Sequence, residues 1–339
     1  MLGEAIERPR RKTQGESWKS LNCSRWQRWA VLTAAALFSS NPNQAGLVAA
    51  EKAKVTENVP RMVRVEKGSF QMGDLFGDPK YRKALPEVPV HEVELDAFEI
   101  GKYEVTVGEF RAFIKETGYL TSAERPSGRP FPGNWQHMPY AQADNEPVLD
   151  VSWDDAIRYC NWVSRKCGLP PAFDEKTGAV LDEKGQVTTD VRKVPGYRLP
   201  TEAEWEFAAR ERGKKVRFGN GQDIARSEEI NFDASVENAS LPKEGDSNRA
   251  RSTPVDSFKA NALGLYNMSG NAWEWCLDRA EDYRAAKQKN PFTPGDQPKI
   301  IRGGGLTCDV TIIRNAGRFC FGSGQSCPAS GIRLARSVK

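Results

Sequence analysis

The chain has few of the residues that most often carry metal and acid–base chemistry. It contains two histidines, His91 and His137, in 339 residues. Two are too few for a three-histidine iron site, and without a third group nearby each reads as a surface or core residue. No Cys-x-x-Cys pair and no Cys/His cluster occurs, which argues against zinc. A Gly-x-Ser-x-Gly elbow and a convincing Ser-His-Asp set are also missing. Gly303-Gly304-Gly305 lacks the lysine and helix that would make it a phosphate loop. The apolar run Trp29 to Phe38 is too short to span a bilayer in the usual way. Internal repeats and low-complexity tracts are lacking as well.

The composition, 39% hydrophobic and 28% charged, is that of a globular protein. Its net charge of +4 comes from the front. Residues 1–50 hold seven Lys/Arg against three Asp/Glu, and the remainder is neutral. A neutral body gives no electrostatic case for nucleic acid or an anionic membrane as partner. Arg10, Arg11, Lys12, Lys19, Arg25 and Arg28 precede the Trp29–Phe38 run, and Val48-Ala49-Ala50 offers a cleavage site. Residues 1–50 therefore read as a signal peptide or N-terminal anchor, and the charged stretch 51–60 as a linker. The protein is expected to be exported, periplasmic or secreted, and on a membrane only if the leader stays uncleaved. Cys23 falls in the leader. The other six cysteines permit disulfides in an exported chain. Cys320 and Cys327, bracketing a Gly-Ser-Gly loop, are the easiest pair to propose, whereas Cys160 and Cys167 lie seven apart on one helix.

Three helix starts carry Ser or Thr followed by an acid three residues on: Thr106/Glu109, Ser152/Asp155 and Thr201/Glu204. These helices are expected to reach about Glu116, Lys166 and Arg212. Strand signals cover 62–65 and 68–72, then 93–100 with a bulge at Ala97, and the β-branched pairs Ile300-Ile301 and Ile312-Ile313. Residues 174–193 read as an inserted hairpin or loop. Residues 217–252 are polar, with few apolar anchors, and call for another staple such as a metal. Few short helices among irregular strands argue an α+β fold. The acid pairs Asp154-Asp155 and Glu204-Glu206 are explained by helix N-termini.

The run Gly264 to Asp278 holds the strongest chemical signal. Asn267, Gly270, Ala272 and Glu274 supply two side-chain oxygens and two backbone carbonyls within eight residues, a set that suits calcium. The plainer alternative is a structural turn beside buried tryptophans. Four further motifs accompany it: Pro147 to Ala156, Tyr197 to Arg210, Arg302 to Gly305 and Gly331 to Arg333. In that order they resemble the formylglycine-generating enzyme family, the sulfatase-modifying-factor domain, over about Met62 to Arg336. The resemblance implies a C-type-lectin-like domain over 61–339, low in regular secondary structure and held partly by calcium. Asn267, Gly270, Ala272 and Glu274 match one calcium site of the family. Asn231 and Phe232, with Asp246 or Ser247, stand where the second would be.

In the family, copper is held by two cysteines after a Gly-Gly-Ser turn, a donor set that soft Cu(I) prefers. Cys308 matches the first cysteine, so it is the candidate catalytic residue. The second position falls on Ile313, or on Val310 if counted back from the arginines, and Gly305 stands where the serine would be. The family's structural disulfides are also unmatched: Cys160 faces Leu334, and the other pair falls on Ala209 and Asn315. The resemblance implies that several of Arg302, Arg314, Arg318 and Arg333, near Gly305, line or brace the pocket, with plain Arg–carboxylate bracing as the alternative. The expected function is therefore a calcium-stabilised, non-oxidase binding or accessory module. The alternative is a copper-dependent oxidase that converts a protein cysteine to formylglycine, with a partner such as a sulfatase.

Overall fold

The computed structural model describes residues 59–125, 133–140, 142–236, 241–296 and 298–338. The expected leader and the linker up to residue 58 lie outside them. Among the described residues three α-helices occur, α1 (Val107–Thr117), α2 (Trp153–Lys166) and α3 (Glu202–Ala209). All three open on the anticipated reciprocal caps at Thr106, Ser152 and Thr201. α1 stops at Gly118 in the left-handed conformation. α3 is one turn shorter than the sequence pattern suggests, because Glu211 and Arg212 adopt positive φ of 49° and 67° and turn the chain away.

The first four strands are β1 (Met62–Val65), β2 (Gly68–Met72), β3 (His91–Leu95) and β4 (Phe98–Gly101). Next come the short β5 (Ala225–Arg226) and β6 (Lys243–Glu244), then the long β7 (Trp273–Arg279). The last five are β8 (Gln288–Lys289), β9 (Lys299–Arg302), β10 (Phe319–Phe321), β11 (Ser330–Gly331) and β12 (Ala335–Ser337). They form four small sheets ordered β1-β4-β12, β10-β9-β7-β11, β2-β3-β8 and β5-β6. Mixed helices and strands in this arrangement make an α+β fold. No described helix is long and apolar enough to cross a membrane.

Two strand expectations need correction. The slip at Ala97 is a change of sheet rather than a bulge: β3 pairs with β2 and β8, β4 with β1 and β12. Ile312-Ile313 lies in turns, although both residues are buried. There burial rather than strand pairing explains the β-branched run. The 217–252 segment also has more anchors than its polarity suggests, since Phe218, Ala225, Ile230, Phe232, Ala234 and Leu241 are all buried.

β7 is the strand around which the site is built. Its run Trp-Glu-Trp-Cys-Leu-Asp is buried on both faces. With alternating side chains, Trp273, Trp275 and Leu277 join the core of α1 and α2. Cys276 joins the second core, which contains Trp205 and Phe207 of α3. Ile301 and Ile300 on β9 divide between the two cores in the same way. A polar side chain on β7 is therefore buried and must find its partner within the protein.

Candidate functional site

Glu274 shows how that demand is met. Its carboxylate accepts from Arg333 Nε at 2.7 Å, Arg333 Nη2 at 2.6 Å and the Trp205 indole N–H at 2.7 Å. Glu104, also buried, lies 4.0 Å from the same guanidinium. It accepts from the amides of Asn267 (3.0 Å) and Asn271 (2.9 Å). Burial first, and then the charge of Glu274, push the Glu104 carboxyl up to about 7 against the pull of Arg333. Glu104 and Asn271 were not singled out in the sequence. The available signal was a Glu just before the α1 cap and a second Asn in an Asn/Gly-rich loop.

The loop 264–274 reaches this cluster through left-handed residues, with φ of 53° at Asn267, 76° at Gly270 and 62° at Asn271. A Cβ on Gly270 would stand 2.4 Å from the Asn231 carbonyl oxygen, so only glycine fits there. Asn271 N–H donates to that carbonyl at 2.8 Å, and Asn231 Nδ2 donates to Asn271 Oδ1 at 3.0 Å. The two groups of candidate calcium ligands are thus neighbours, joined by Asn271.

They differ in how well they suit a cation. In the first group Glu274 is already neutralised by Arg333, the Asn267 amide donates to Glu104 and the Val255 carbonyl, and the Gly270 carbonyl accepts from Ala272 N–H. In the second, Asn231 Oδ1 is buried and has no hydrogen-bond partner. A buried, orphaned oxygen is a costly feature that a hard cation would satisfy. Phe232 is buried beside it, its carbonyl accepting from Ala234 N–H at 3.2 Å, while Asp246 is exposed. No three His, Cys, Asp or Glu side chains converge on a metal position among the described residues. A site made of amide and carbonyl oxygens would not need them.

The candidate arginines are braces. Arg302 donates to Glu202 and Glu206 at 2.6 Å each and to the Asn315 carbonyl at 2.5 Å. Arg314 grips Glu87 at 2.9 and 2.8 Å, and Arg318 grips Glu202 at 2.6 and 2.8 Å. Glu206 is thereby a core ion-pair partner, shared between Arg302 and Arg210, and not a residue placed for the helix dipole. Although burial opposes it, Arg318 and Arg302 hold the Glu202 carboxyl below its usual range.

Cys308 is buried, and its Sγ accepts from Gly305 N–H at 3.3 Å. Burial pushes the thiol up, Gly305 N–H opposes this, and the nearby charge of Cys327 adds to the rise. A packed, neutral thiol is a poor nucleophile and metal ligand. Both counts for the second copper cysteine fall on apolar, fully buried residues, Ile313 and Val310. No disulfide is formed among the described residues; Cys320 sits on β10, opposite Ile300 of β9. Gly305 has its own reason to be glycine. A Cβ there would lie 2.6 Å from the Ala329 Cβ and 3.1 Å from Trp273 Cδ1. Gly305→Ser is therefore expected to destabilise by about 1–3 kcal/mol through overpacking. Adding Ala329→Gly should restore most of that loss in thermal unfolding, and equal stability of Gly305→Ser and the parent would refute the contact.

The comparisons agree with this architecture. The family described as sulfatase-modifying factor enzyme 1-like domain matches residues 48–338. The formylglycine-generating enzyme of Streptomyces coelicolor is 29% identical over 282 residues, 73% of this chain and 78% of that protein. The chaperone protein LppX of Paenibacillus barcinonensis is 30% identical over 311 residues, 86% of this chain and 95% of that one. The structure of PvdO from Pseudomonas aeruginosa superposes with a TM-score of 0.60 at 26% identity, covering 84% of this chain and 97% of that chain.

Proposed function

Because this chain belongs to the sulfatase-modifying factor enzyme 1-like domain family, we propose that it is an exported, calcium-stabilised accessory module that binds a protein or peptide partner and does not oxidise cysteine. The observation that carries this reading is the surroundings of Cys308. One thiol stands at the family's copper positions, with buried Ile313 and Val310 at the other. Trp273 and Ala329 fill the space beside Gly305 where a serine side chain would go. Neither residue at the family's second copper position can supply a thiolate. A relative named a chaperone, similar over most of both chains, supports a helper role on this fold. The protein partner, such as a sulfatase, rests on the resemblance to formylglycine-generating enzymes.

Calcium, in this proposal, is held at Asn231 Oδ1 with the Phe232 carbonyl and a contribution from the Asp246 region. There it would fasten 217–252 to the 264–274 loop. Chelation with EDTA is expected to lower the unfolding temperature, and calcium to restore it. Asn231→Ala should abolish the calcium-dependent part while leaving a folded protein. An unfolding temperature indifferent to calcium would remove this part of the reading.

The non-oxidase assignment is tested separately. The pre-reduced protein, given Cu(I) and a cysteine peptide in air, is expected to yield no aldehyde by mass spectrometry. Conversion that disappears in Cys308→Ala would overturn the assignment in favour of the oxidase.

A further inference from the structure

A cavity of about 350 Å³ lies between β3, the start of α3 and the segment after β7, within the size range of small-molecule sites. It is separate from Cys308. Trp273, which flanks Gly305, begins β7, and Asp278 in the cavity lies five residues further on, about 17 Å along an extended strand.

The buried arginine on the cavity wall is already engaged. Arg318 on its wall uses Nε and Nη2 on Glu202, Nη1 on the Pro86 carbonyl, and its face on the Tyr283 ring at 3.7 Å. Arg279 is paired with Glu281, and the exposed Arg284 makes one 3.5 Å contact with the same carboxylate. Lys299, the nearest buried ammonium, bonds the Gly295 and Leu277 carbonyls and lies over the Trp153 ring.

The acceptors have capacity left. His91 is 3% exposed and stands edge-on to Tyr283. Its Nδ1 is 3.1 Å from the Pro89 carbonyl. A carbonyl only accepts, so Nδ1 carries the proton, and in the neutral ring Nε2 then presents a lone pair. The Asp278 carboxylate accepts Thr293 N–H on one oxygen and Glu202 N–H on the other, at 2.8 and 2.7 Å. Each oxygen keeps a further lone pair. Asp282 adds an exposed carboxylate to the lining, and Met72, Phe292 and Pro294 supply apolar wall.

We propose that this cavity binds an organic cation, an ammonium or guanidinium on a short aliphatic stem, with its N–H groups directed at Asp278 and His91 Nε2. An anion reaching the buried end would meet the Asp278 carboxylate, where the buried Arg318 is already committed to Glu202. A purely apolar ligand would strip water from the Asp278 carboxylate without replacing it. The same chemistry could be offered by a free amine or by a lysine side chain of another protein.

Titration calorimetry on the full chain at pH 8 tests this with three probes: agmatine, the blocked tripeptide acetyl-Gly-Lys-Gly-amide, and the neutral 1,5-pentanediol. Saturable binding of at least one cationic probe is expected, at least tenfold tighter than the diol. The tighter of the two cationic probes distinguishes a free amine from a lysine side chain. His91 ring nitrogen signals should shift on saturation, and Asp278→Asn should weaken binding at least tenfold. Binding of neither cation, or of the diol equally well, overturns the proposal. That comparison uses the parent protein alone, so it stands even where Asp278→Asn does not fold.

Discussion

Arg333→Met is expected to destabilise the protein by about 3–5 kcal/mol, read as a shift in the denaturant midpoint, because it leaves a buried carboxylate without its counter-charge. Arg333 is fully buried and is bonded to Glu274 through two nitrogens, to the Gly101 carbonyl at 2.8 Å and to the Tyr266 carbonyl at 2.7 Å. Methionine fills much of the volume but leaves Glu274 facing Glu104, whose carboxyl is already pushed up by burial. Glu274→Gln added to Arg333→Met should recover a large part of the loss, since the uncompensated charge is then gone. The double-mutant cycle reports the coupling directly. A loss below about 1 kcal/mol for Arg333→Met, the level of an exposed pair, would show that this ion pair does not hold the 264–274 loop to the sheet.

The second large effect is a dependence of stability on pH that traces to Asp278. Its carboxyl is raised from the ordinary 3.8 to about 7, by burial above all and then by the charge of Glu202, against the pull of two backbone N–H groups and Lys299. Between those values the folded protein holds a proton that the unfolded chain has released. The unfolding free energy therefore falls as pH rises, and the change levels off above about 7. The full difference is on the order of 4 kcal/mol at 1.36 kcal/mol per pH unit. Lys299 has the opposite sign at higher pH. Burial lowers its ammonium from 10.5 to about 8, so stability rises between those values, where only the unfolded chain stays protonated. Thermal unfolding from pH 4 to 10 should thus show its minimum contribution from this pair near pH 7–8. Asp278→Asn should flatten the acidic side specifically. A slope between pH 4 and 7 that Asp278→Asn leaves unchanged would assign it to other carboxyls.

Much of the local structure was legible in the chain. The three capping boxes located all three helix starts, because a cap is a contact between residues three apart and depends on nothing distant. The Gly270 constraint was visible only as a glycine in an Asn-rich loop; its cause is the carbonyl of Asn231, far away in the chain. β7 carries no strand signal in the sequence, because a strand buried on both faces loses the alternation that marks a half-exposed one. The last turn assigned to α3 failed because two residues take left-handed backbone there, a conformation that no helical periodicity reveals.

By itself the amino-acid order determined the fold class, the helix starts and the motif series that places this chain in its family. All of these depend on short-range pattern and on residue types at set spacings. The tertiary structure decided which polar groups face one another. Glu274 reads as a calcium ligand in sequence, and in the fold it is the partner of Arg333, while Asn231 keeps the orphaned oxygen. Gly305 reads as a lost serine, and in the fold its place is taken by Ala329 and Trp273. The cavity at Asp278 and His91 had no motif, since its residues come from segments far apart in the chain. Buried charges must be matched wherever the chain happens to bring them together, and the linear order does not record that distance.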